Sequence, residues 1–113
     1  MKTIKNLSII LPIYNGEIFL KDAVQSILDQ SWLPQDFEIL LMDDASNDNS
    51  VEVARSLERL SKAIKLIALE KNGGVAYARN KGVQEACYEH LAFLDQDDTW
   101  HPRKLELQQS GIK

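Results

Sequence analysis

The sequence has a single cysteine, Cys87, among 113 residues, so no disulfide can form within the chain. Its first apolar run is broken at Pro12, which leaves it too short for the apolar region of a signal peptide or for a membrane span. One cysteine and no secretion signal fit a reducing compartment. We therefore expect a cytoplasmic protein, with peripheral attachment at the inner face of the cell membrane left open for the full-length form.

Several signatures of other protein classes are missing. There is no Gly-x-Gly-x-x-Gly run and no Gly-Lys-Ser/Thr phosphate loop. His90 and His101 have no histidine or cysteine partners at metal-binding spacing, so neither is assigned as a ligand. The formal net charge of -4 and the pI near 5.1 argue against a nucleic-acid partner, whose phosphates attract basic faces.

What the sequence does contain is a regular alternation of short apolar runs and longer helical stretches, without an internal repeat or a linker. The apolar runs, of strand length, are Leu7–Leu11, Phe37–Met42, Ile64–Leu69 and Leu91–Leu94. Continuous apolar strands separated by helices are typical of a parallel sheet that is covered on both faces. The pattern predicts an α/β fold, a Rossmann-like open parallel sheet with helices on both faces, built as a single domain over residues 1–113.

Three of the helices carry specific expectations. Asn49 and Glu52 have the spacing of a capping box at the start of the second helix. The buried stripe of that helix is predicted to be Val53, Leu57 and Leu60. The third helix, which follows Gly73-Gly74, is predicted to bury Val75, Ala78, Gly82, Val83 and Ala86. Pro102 suits the first turn of a final short helix.

Polar residues with chemical potential follow the predicted strands. They are Pro12, Tyr14 and Asn15 after the first, Asp43, Asp44, Ser46 and Asp48 after the second, Asn72, Gly73 and Gly74 after the third, and Asp95, Asp97 and Asp98 after the fourth. In an open parallel sheet these loops share one edge, at the carboxyl ends of the strands, where ligands bind. We therefore expect them to converge on one cleft.

The turn Asp95–Asp98 places three carboxylates close together. Such charges repel, and a bound divalent cation relieves the repulsion. Carboxylate oxygens suit Mg²⁺ or Mn²⁺, and Mg²⁺ takes only one or two protein carboxylates when phosphate oxygens complete its shell. The alternative is a solvated acidic turn, but its position at the ligand edge favours a metal site.

The other candidate residues each allow a structural role as well as a binding role. Asp43 and Asp44 could accept hydrogen bonds from a base or a ribose, or form a turn. Tyr14 could stack on a nucleobase or pack at the edge of the core. The N–H groups of Gly73-Gly74 could bind an anion at a helix start or simply make a turn. Arg79 could face a ligand phosphate or a neighbouring aspartate.

Four segments together resemble family 2 glycosyltransferases of the GT-A fold. Ser8–Asn15 is similar to the opening of that family, and Glu38–Ser46 to its second strand with the acidic exit. Asn72–Gly82 resembles its glycine–arginine helix start, and Leu94–Trp100 its metal-binding Asp-x-Asp turn. The four occur in the family order at family-like spacing and span nearly the whole chain.

The resemblance implies a donor site for a nucleotide sugar, commonly a UDP-sugar. Pro12, Tyr14 and Asp44 match positions that hold the nucleobase, with Asp43 beside them. The remaining matches are Arg79 near the nucleotide, Asp95 on the ribose side, and Asp97 and Asp98 at the metal, Mg²⁺ or Mn²⁺. Family members transfer the sugar with inversion to an acceptor hydroxyl, here expected on a glycan or a lipid-linked acceptor in polysaccharide biosynthesis.

The resemblance also implies that the general base, a carboxylate of the acceptor half, comes after Lys113. We therefore expect residues 1–113 to bind a donor and to catalyse little or no transfer. The fourth strand is expected to present an unpaired, partly apolar edge, through which copies of the chain could associate.

Two other functions stay open at this point. Asp95-x-Asp97-x-Thr99 also matches the nucleophile motif of haloacid-dehalogenase-like phosphohydrolases, in which Asp95 would attack phosphorus. That motif normally follows the first strand of its fold, whereas here it follows the fourth predicted strand. The second is a nucleotide-binding module without catalysis.

Overall fold

The structure is a computed structural model, and it describes residues 4–109. Its elements are β1 Asn6–Ile13, α1 Leu20–Leu28, β2 Asp36–Asp43, α2 Ser50–Glu58, β3 Ile64–Ala68, α3 Val75–Glu85, β4 Leu91–Phe93 and α4 Lys104–Gln109. The sheet has the order β3-β2-β1-β4, and every neighbouring pair is parallel. The predicted Rossmann-like α/β fold is confirmed, and within residues 4–109 β4 forms an edge of the sheet, as expected.

The central strand β1 shows why the apolar runs are continuous rather than alternating. Ile9 and Leu11 belong to a core shared with residues of α1, α2 and α4, while Ile10 belongs to a second, smaller core with Ala78 of α3. Successive side chains of a strand point to opposite faces, so both faces of β1 must be apolar when both are covered. The helices therefore lie on both faces, as predicted.

The packing of α3 against the sheet depends on a glycine. A Cβ atom added at Gly82 would lie 2.5 Å from Cγ2 of Ile10 and 3.3 Å from Cγ of Met42. The helix backbone therefore lies closer to the strands than any side chain at this position would permit. This close approach holds α3 against the sheet, and the amino end of the same helix borders the candidate site.

Some expected positions were wrong in detail. Asn49 makes no side-chain hydrogen bond as the N-cap of α2; Asp48 Oδ1 instead accepts from the backbone N–H of Ser50 at 2.9 Å. This is the usual turn arrangement in which an aspartate side chain accepts from the backbone N–H group two residues further along the chain. Leu60 is exposed because α2 ends at Glu58, before that residue.

On α3, Ala78 and Gly82 are buried as predicted, whereas Val75 and Val83 are exposed. Val75 lies in the first turn of the helix and is exposed because it lines a cavity. Val83 follows Gly82 and is rotated by roughly 100° from it, toward the uncovered side of the helix. Strand β1 also continues through Pro12 to Ile13, beyond its expected end.

Candidate functional site

A cavity of about 390 Å³ lies at the carboxyl edge of the sheet. Its volume is within the range of small-molecule sites, roughly 300–1,000 Å³. The exits of all four strands contribute to its wall: Pro12, Ile13, Tyr14, Asp44, Asn72, Gly74, Val75, Ala78, Gln96 and Asp97. The predicted convergence of the four loops on one cleft is confirmed, although Asp43, Asp95 and Asp98 do not line it.

Pro12 and Tyr14 form the part of the wall that belongs to β1 and its exit. The Tyr14 ring is partly exposed, and its hydroxyl accepts a hydrogen bond of 3.5 Å from Nδ2 of Asn47. An exposed aromatic ring in a cavity wall is suited to stacking on a planar ligand.

Asp44 is buried at the base of the cavity wall and binds the glycine turn. Its Oδ1 accepts from the N–H of Gly73 at 2.9 Å, and its Oδ2 accepts from the N–H of Gly74 at 2.8 Å. Gly74, the N-cap of α3, has a φ of 97°, which a residue with a side chain adopts only with strain. The anion at this helix start is therefore Asp44 itself. Its carboxylate keeps lone pairs for a further donor.

Asp43 has a different environment from its neighbour. Its side chain is fully buried and accepts from the hydroxyl of Ser46 at 2.6 Å and from the backbone N–H of Ser46 at 3.1 Å. These bonds close the turn in which Ala45 has a φ of 58°. Asp43 does not line the cavity, so the structure gives it a turn-forming position rather than a place in the cavity wall.

The acidic turn after β4 separates two cavities. The backbone N–H of Asp98 donates to the carbonyl of Asp95 at 3.0 Å, which closes the turn. Asp97 lines the first cavity. Asp98 lines a second cavity of about 350 Å³, together with Arg79, Phe93, Leu94, Asp95, Thr99 and Trp100. The buried ring of Trp100 joins the larger core and forms part of this second wall.

Arg79 and Asp95 form an ion pair in the second cavity, with Nη2 of Arg79 2.8 Å from Oδ1 of Asp95. Within residues 4–109, Nε of Arg79 is buried and has no hydrogen-bond partner. The guanidinium has five N–H donors, so others stay available beyond the one that binds Asp95. Arg79 thus binds the first residue of the acidic turn, and both Arg79 and Asp95 lie outside the wall of the first cavity.

The residues of the acidic turn suit a metal ion that is shared with a ligand. In the part of the chain that the structure describes, no group of three or more histidine, cysteine or acidic residues could hold a metal by itself. Mg²⁺ needs only one or two protein carboxylates when phosphate oxygens and water supply the other ligands. Asp97 and Asp98, both exposed at the turn, match that donor set.

Gln96, which lies between Asp95 and Asp97 of the turn, was not among the predicted site residues. Its side-chain amide forms two hydrogen bonds with the backbone of Tyr14, at 2.6 Å and 2.8 Å. A second set of contacts joins the first two loops, where Asn15 N–H donates to Ser46 Oγ at 3.0 Å and Asn47 N–H donates to Asn15 Oδ1 at 2.8 Å. The pattern of residue types does not predict these contacts, because each of them joins a side chain to a backbone group that is distant in the sequence.

Across residues 4–109, none of the helices has the length and apolar character that crossing a membrane requires.

The sheet order, the helices on both faces and the cavity at the carboxyl edge define a Rossmann-like α/β protein. The sequence matches the model of Glycosyl transferase family 2 over residues 8–113. The chain therefore belongs to glycosyl transferase family 2, as its motifs indicated.

Relatives and solved structures agree with that assignment. The chain is 39% identical over 102 residues to the putative teichuronic acid biosynthesis glycosyltransferase TuaG of Bacillus subtilis, covering 90% of this chain and 40% of TuaG. It is 39% identical over 102 residues to the UDP-Glc:alpha-D-GlcNAc-diphosphoundecaprenol beta-1,3-glucosyltransferase WfgD of Escherichia coli, covering 90% and 39% of the two chains.

The crystal structure of S. aureus TarS 1-349 in complex with UDP-GlcNAc superposes with a TM-score of 0.79 at 29% identity, covering 94% of this chain and 30% of that chain. The chain thus spans at most 40% of the length of these three proteins.

Proposed function

We propose that this chain binds the nucleotide-sugar donor, a UDP-sugar, of an inverting and metal-dependent glycosyl transfer to an acceptor hydroxyl. The observation that carries the proposal is the cavity at the carboxyl edge, which brings Tyr14, Asp44 and Asp97 together from three strand exits. Family membership and the UDP-GlcNAc complex of TarS support a nucleotide-sugar ligand. Residues 1–113 are proposed to act as one donor-binding unit.

The nucleobase is proposed to lie between Pro12 and Tyr14, where the ring can stack on it. Asp44 accepts N–H groups of the base with the lone pairs that Gly73 and Gly74 leave free. Asp43 acts indirectly, because its bonds to Ser46 shape the turn that presents Asp44.

The diphosphate is proposed to lie over the acidic turn, where Asp97 and Asp98 would hold Mg²⁺ or Mn²⁺. When bound, the metal supplies Lewis-acid stabilisation of the negative charge that develops on the departing diphosphate. Asp95 faces the ribose side, and Arg79 offers its remaining N–H groups to anionic oxygens nearby. The proposed site thus has a base side, formed by Pro12, Tyr14 and Asp44, and a phosphate side, formed by Asp97 and Asp98.

We assign no general base within residues 4–109. We propose that the acceptor is a glycan or a lipid-linked saccharide, a class to which the diphosphoundecaprenol-linked sugar in the name of WfgD belongs. Purified residues 1–113 are expected to bind donor without transfer at rates typical of an enzyme. Transfer at such rates by this chain alone would contradict that part of the proposal.

Calorimetric titration with UDP, with and without Mn²⁺, tests the donor site. We expect Mn²⁺ to strengthen binding in the unaltered chain and to have no such effect in Asp97→Asn/Asp98→Asn. Asp44→Asn, which alters the base side, should weaken binding by a similar factor with and without Mn²⁺. The charge-matched control Asp22→Asn/Asp36→Asn, at two exposed positions away from the cavity, should bind as the unaltered chain does.

Absence of UDP binding by the folded chain would contradict the proposal. Binding that Mn²⁺ does not affect would contradict its metal-dependent part.

The phosphohydrolase alternative is not favoured. Its nucleophile would be Asp95, but Oδ1 of Asp95 is paired with Arg79 at 2.8 Å, and the family match supports glycosyl transfer. Incubation with a phosphate ester and a search for phosphoaspartate at Asp95 separates the two functions. No phosphorylated Asp95 is expected.

A further inference from the structure

The side-chain amide of Gln96 is bound at both ends by one residue. Its Oε1 accepts from the backbone N–H of Tyr14 at 2.6 Å, and its Nε2 donates to the backbone carbonyl of Tyr14 at 2.8 Å. An N–H group requires an acceptor and a carbonyl requires a donor, so this pairing also fixes which end of the amide is which. The two residues are separated by 82 positions in the sequence.

Gly16 provides the space in which the amide lies. A Cβ atom at this position would be 2.4 Å from Oε1 of Gln96 and 2.7 Å from its Cδ. Those distances are far below van der Waals contact, and the atoms in the way are the end of a flexible side chain rather than backbone. An alanine at residue 16 would therefore displace Gln96 without forcing the backbone to move.

The pair connects the two sides of the proposed donor site. Tyr14 belongs to the base side, and Asp97, next to Gln96 in the turn, belongs to the phosphate side. Among the contacts described between the exit of β1 and the acidic turn, the two bonds of Gln96 are the direct hydrogen-bonded link. From this we infer that Gln96 is a positioning residue that holds the acidic turn at a fixed distance from the base-binding wall.

This inference rests on the proposed donor site and adds a residue to it. A nucleoside diphosphate is one ligand that must satisfy both sides at once, so a small displacement of the turn weakens the diphosphate contacts. A nucleoside without phosphates contacts the base side alone. Loss of the link should therefore weaken UDP with Mn²⁺ much more than uridine.

Three variants test the inference: Gln96→Met, which keeps the length of the side chain and removes both bonds, Gly16→Ala, which leaves the turn chemically intact, and the two combined. Loss of two hydrogen bonds in a partly exposed position predicts about tenfold weaker binding of UDP with Mn²⁺ in each single variant. Uridine affinity, followed by NMR titration, should change by less than about twofold, because the base side stays formed.

The combined variant should bind no more weakly than either single variant, because both changes break the same link. Gln25→Met, at an exposed glutamine of α1, is the matched control and should leave both affinities unchanged. Asp97→Asn in the Gln96→Met background should cost less than in the unaltered chain, since the turn is no longer held in place.

Equal loss of uridine and UDP affinity, or additive losses in the combined variant, would overturn the positioning role and leave a structural one. Unchanged UDP affinity in Gln96→Met, in a chain whose Asp97→Asn variant loses binding, would overturn the inference and keep the proposed donor site. Absence of UDP binding by the unaltered chain would overturn both.

Discussion

The buried carboxylate of Glu38 lies 3.1 Å from the ammonium group of Lys65, measured from Oε1 to Nζ. The Glu38 side chain is only 3% exposed, whereas that of Lys65 is 51% exposed. Oε2 of Glu38 also accepts from the hydroxyl of Ser8 and from the backbone N–H of Cys87, both at 2.7 Å. One carboxylate thus joins β1, β2, β3 and the segment after α3, toward the amino ends of the strands.

Acid should weaken this junction. Burial acts to raise the pKa of Glu38, but the hydrogen bonds from Ser8, Cys87 and Lys65 together outweigh it and lower the pKa. A carboxyl with a lowered pKa in the folded state stabilises the protein above its unfolded pKa of about 4.3, and the stabilisation is lost as the pH falls through the folded pKa. We expect the free energy of unfolding, measured with urea, to fall below about pH 4.3.

The variant Glu38→Gln should lower the free energy of unfolding at pH 7 by about 1–3 kcal/mol, because the amide presents a donor to groups that require an acceptor. It should also show a smaller decrease in acid than the unaltered chain. The pKa values of Asp48 and Glu106 are lowered too, so part of the acid sensitivity should persist in the variant. Glu52→Gln, on the exposed side of α2, is the control; an equal effect at both positions would contradict the role of Glu38.

The close approach of α3 to the sheet predicts that a single methyl group added at Gly82 destabilises the folded protein. Gly82→Ala should lower the free energy of unfolding by about 1 kcal/mol, since overpacking against Ile10 costs about 1–3 kcal/mol and higher helix propensity returns up to about 1 kcal/mol. Chemical denaturation measures the difference. Asn80→Ala, at an exposed position of the same helix, gains propensity without a clash and should be neutral or slightly stabilising. Equal stability of the two variants would show that the interface can relax.

The Arg79–Asp95 pair should contribute little to stability. The side chains are 40% and 45% exposed, so solvent screens the attraction. A double-mutant cycle with Arg79→Met and Asp95→Asn should give a coupling energy below about 1 kcal/mol, smaller at high salt. UDP affinity should nevertheless fall in Arg79→Met. A coupling energy above about 2 kcal/mol, or unchanged UDP affinity, would contradict this interpretation.

The exposed edge strand β4 predicts that copies of the chain associate with one another. Phe93 on β4 is 44% exposed, and β4 has a neighbour only on the side of β1 within the described residues. An unpaired strand with apolar side chains favours pairing with another chain, and a lysine there opposes it. Sedimentation of the unaltered chain should show association that increases with concentration and decreases in Phe93→Lys. Leu60→Lys, which removes another exposed apolar side chain away from this edge, should leave the association unchanged.

The sheet could be predicted because strands that are buried on both faces need apolar residues at every position. Ile9, Ile10 and Leu11 are all apolar for that reason, and chain order then places every strand exit at one edge. That placement predicts Tyr14, Asp44 and Asp97 at one cleft, and all three line the cavity. The same periodicity could not separate Val75, which is exposed, from Ala78, which is buried against the sheet, because both lie on one side of the helix.

The details of the site depend on contacts that residue types do not specify. Asp44 was expected to bind a ligand, and the structure shows that it also holds the glycine turn. Asp43, adjacent in the sequence, points into a turn instead because successive residues at a strand end face opposite ways. Gln96 was not predicted, because its partners are backbone groups of Tyr14, which every residue other than proline possesses.

The central place of β1 has a consequence for how the protein is made. During synthesis β1 leaves the ribosome before both of its partners, β2 and β4, so one side of Ser8, Ile9 and Ile10 stays unpaired until residues 91–93 have emerged. Until then the nascent chain presents an open strand to its surroundings, the kind of surface that chaperones cover. The proposed donor site, which includes Asp97, can therefore stabilise the fold only after both partners of β1 have emerged.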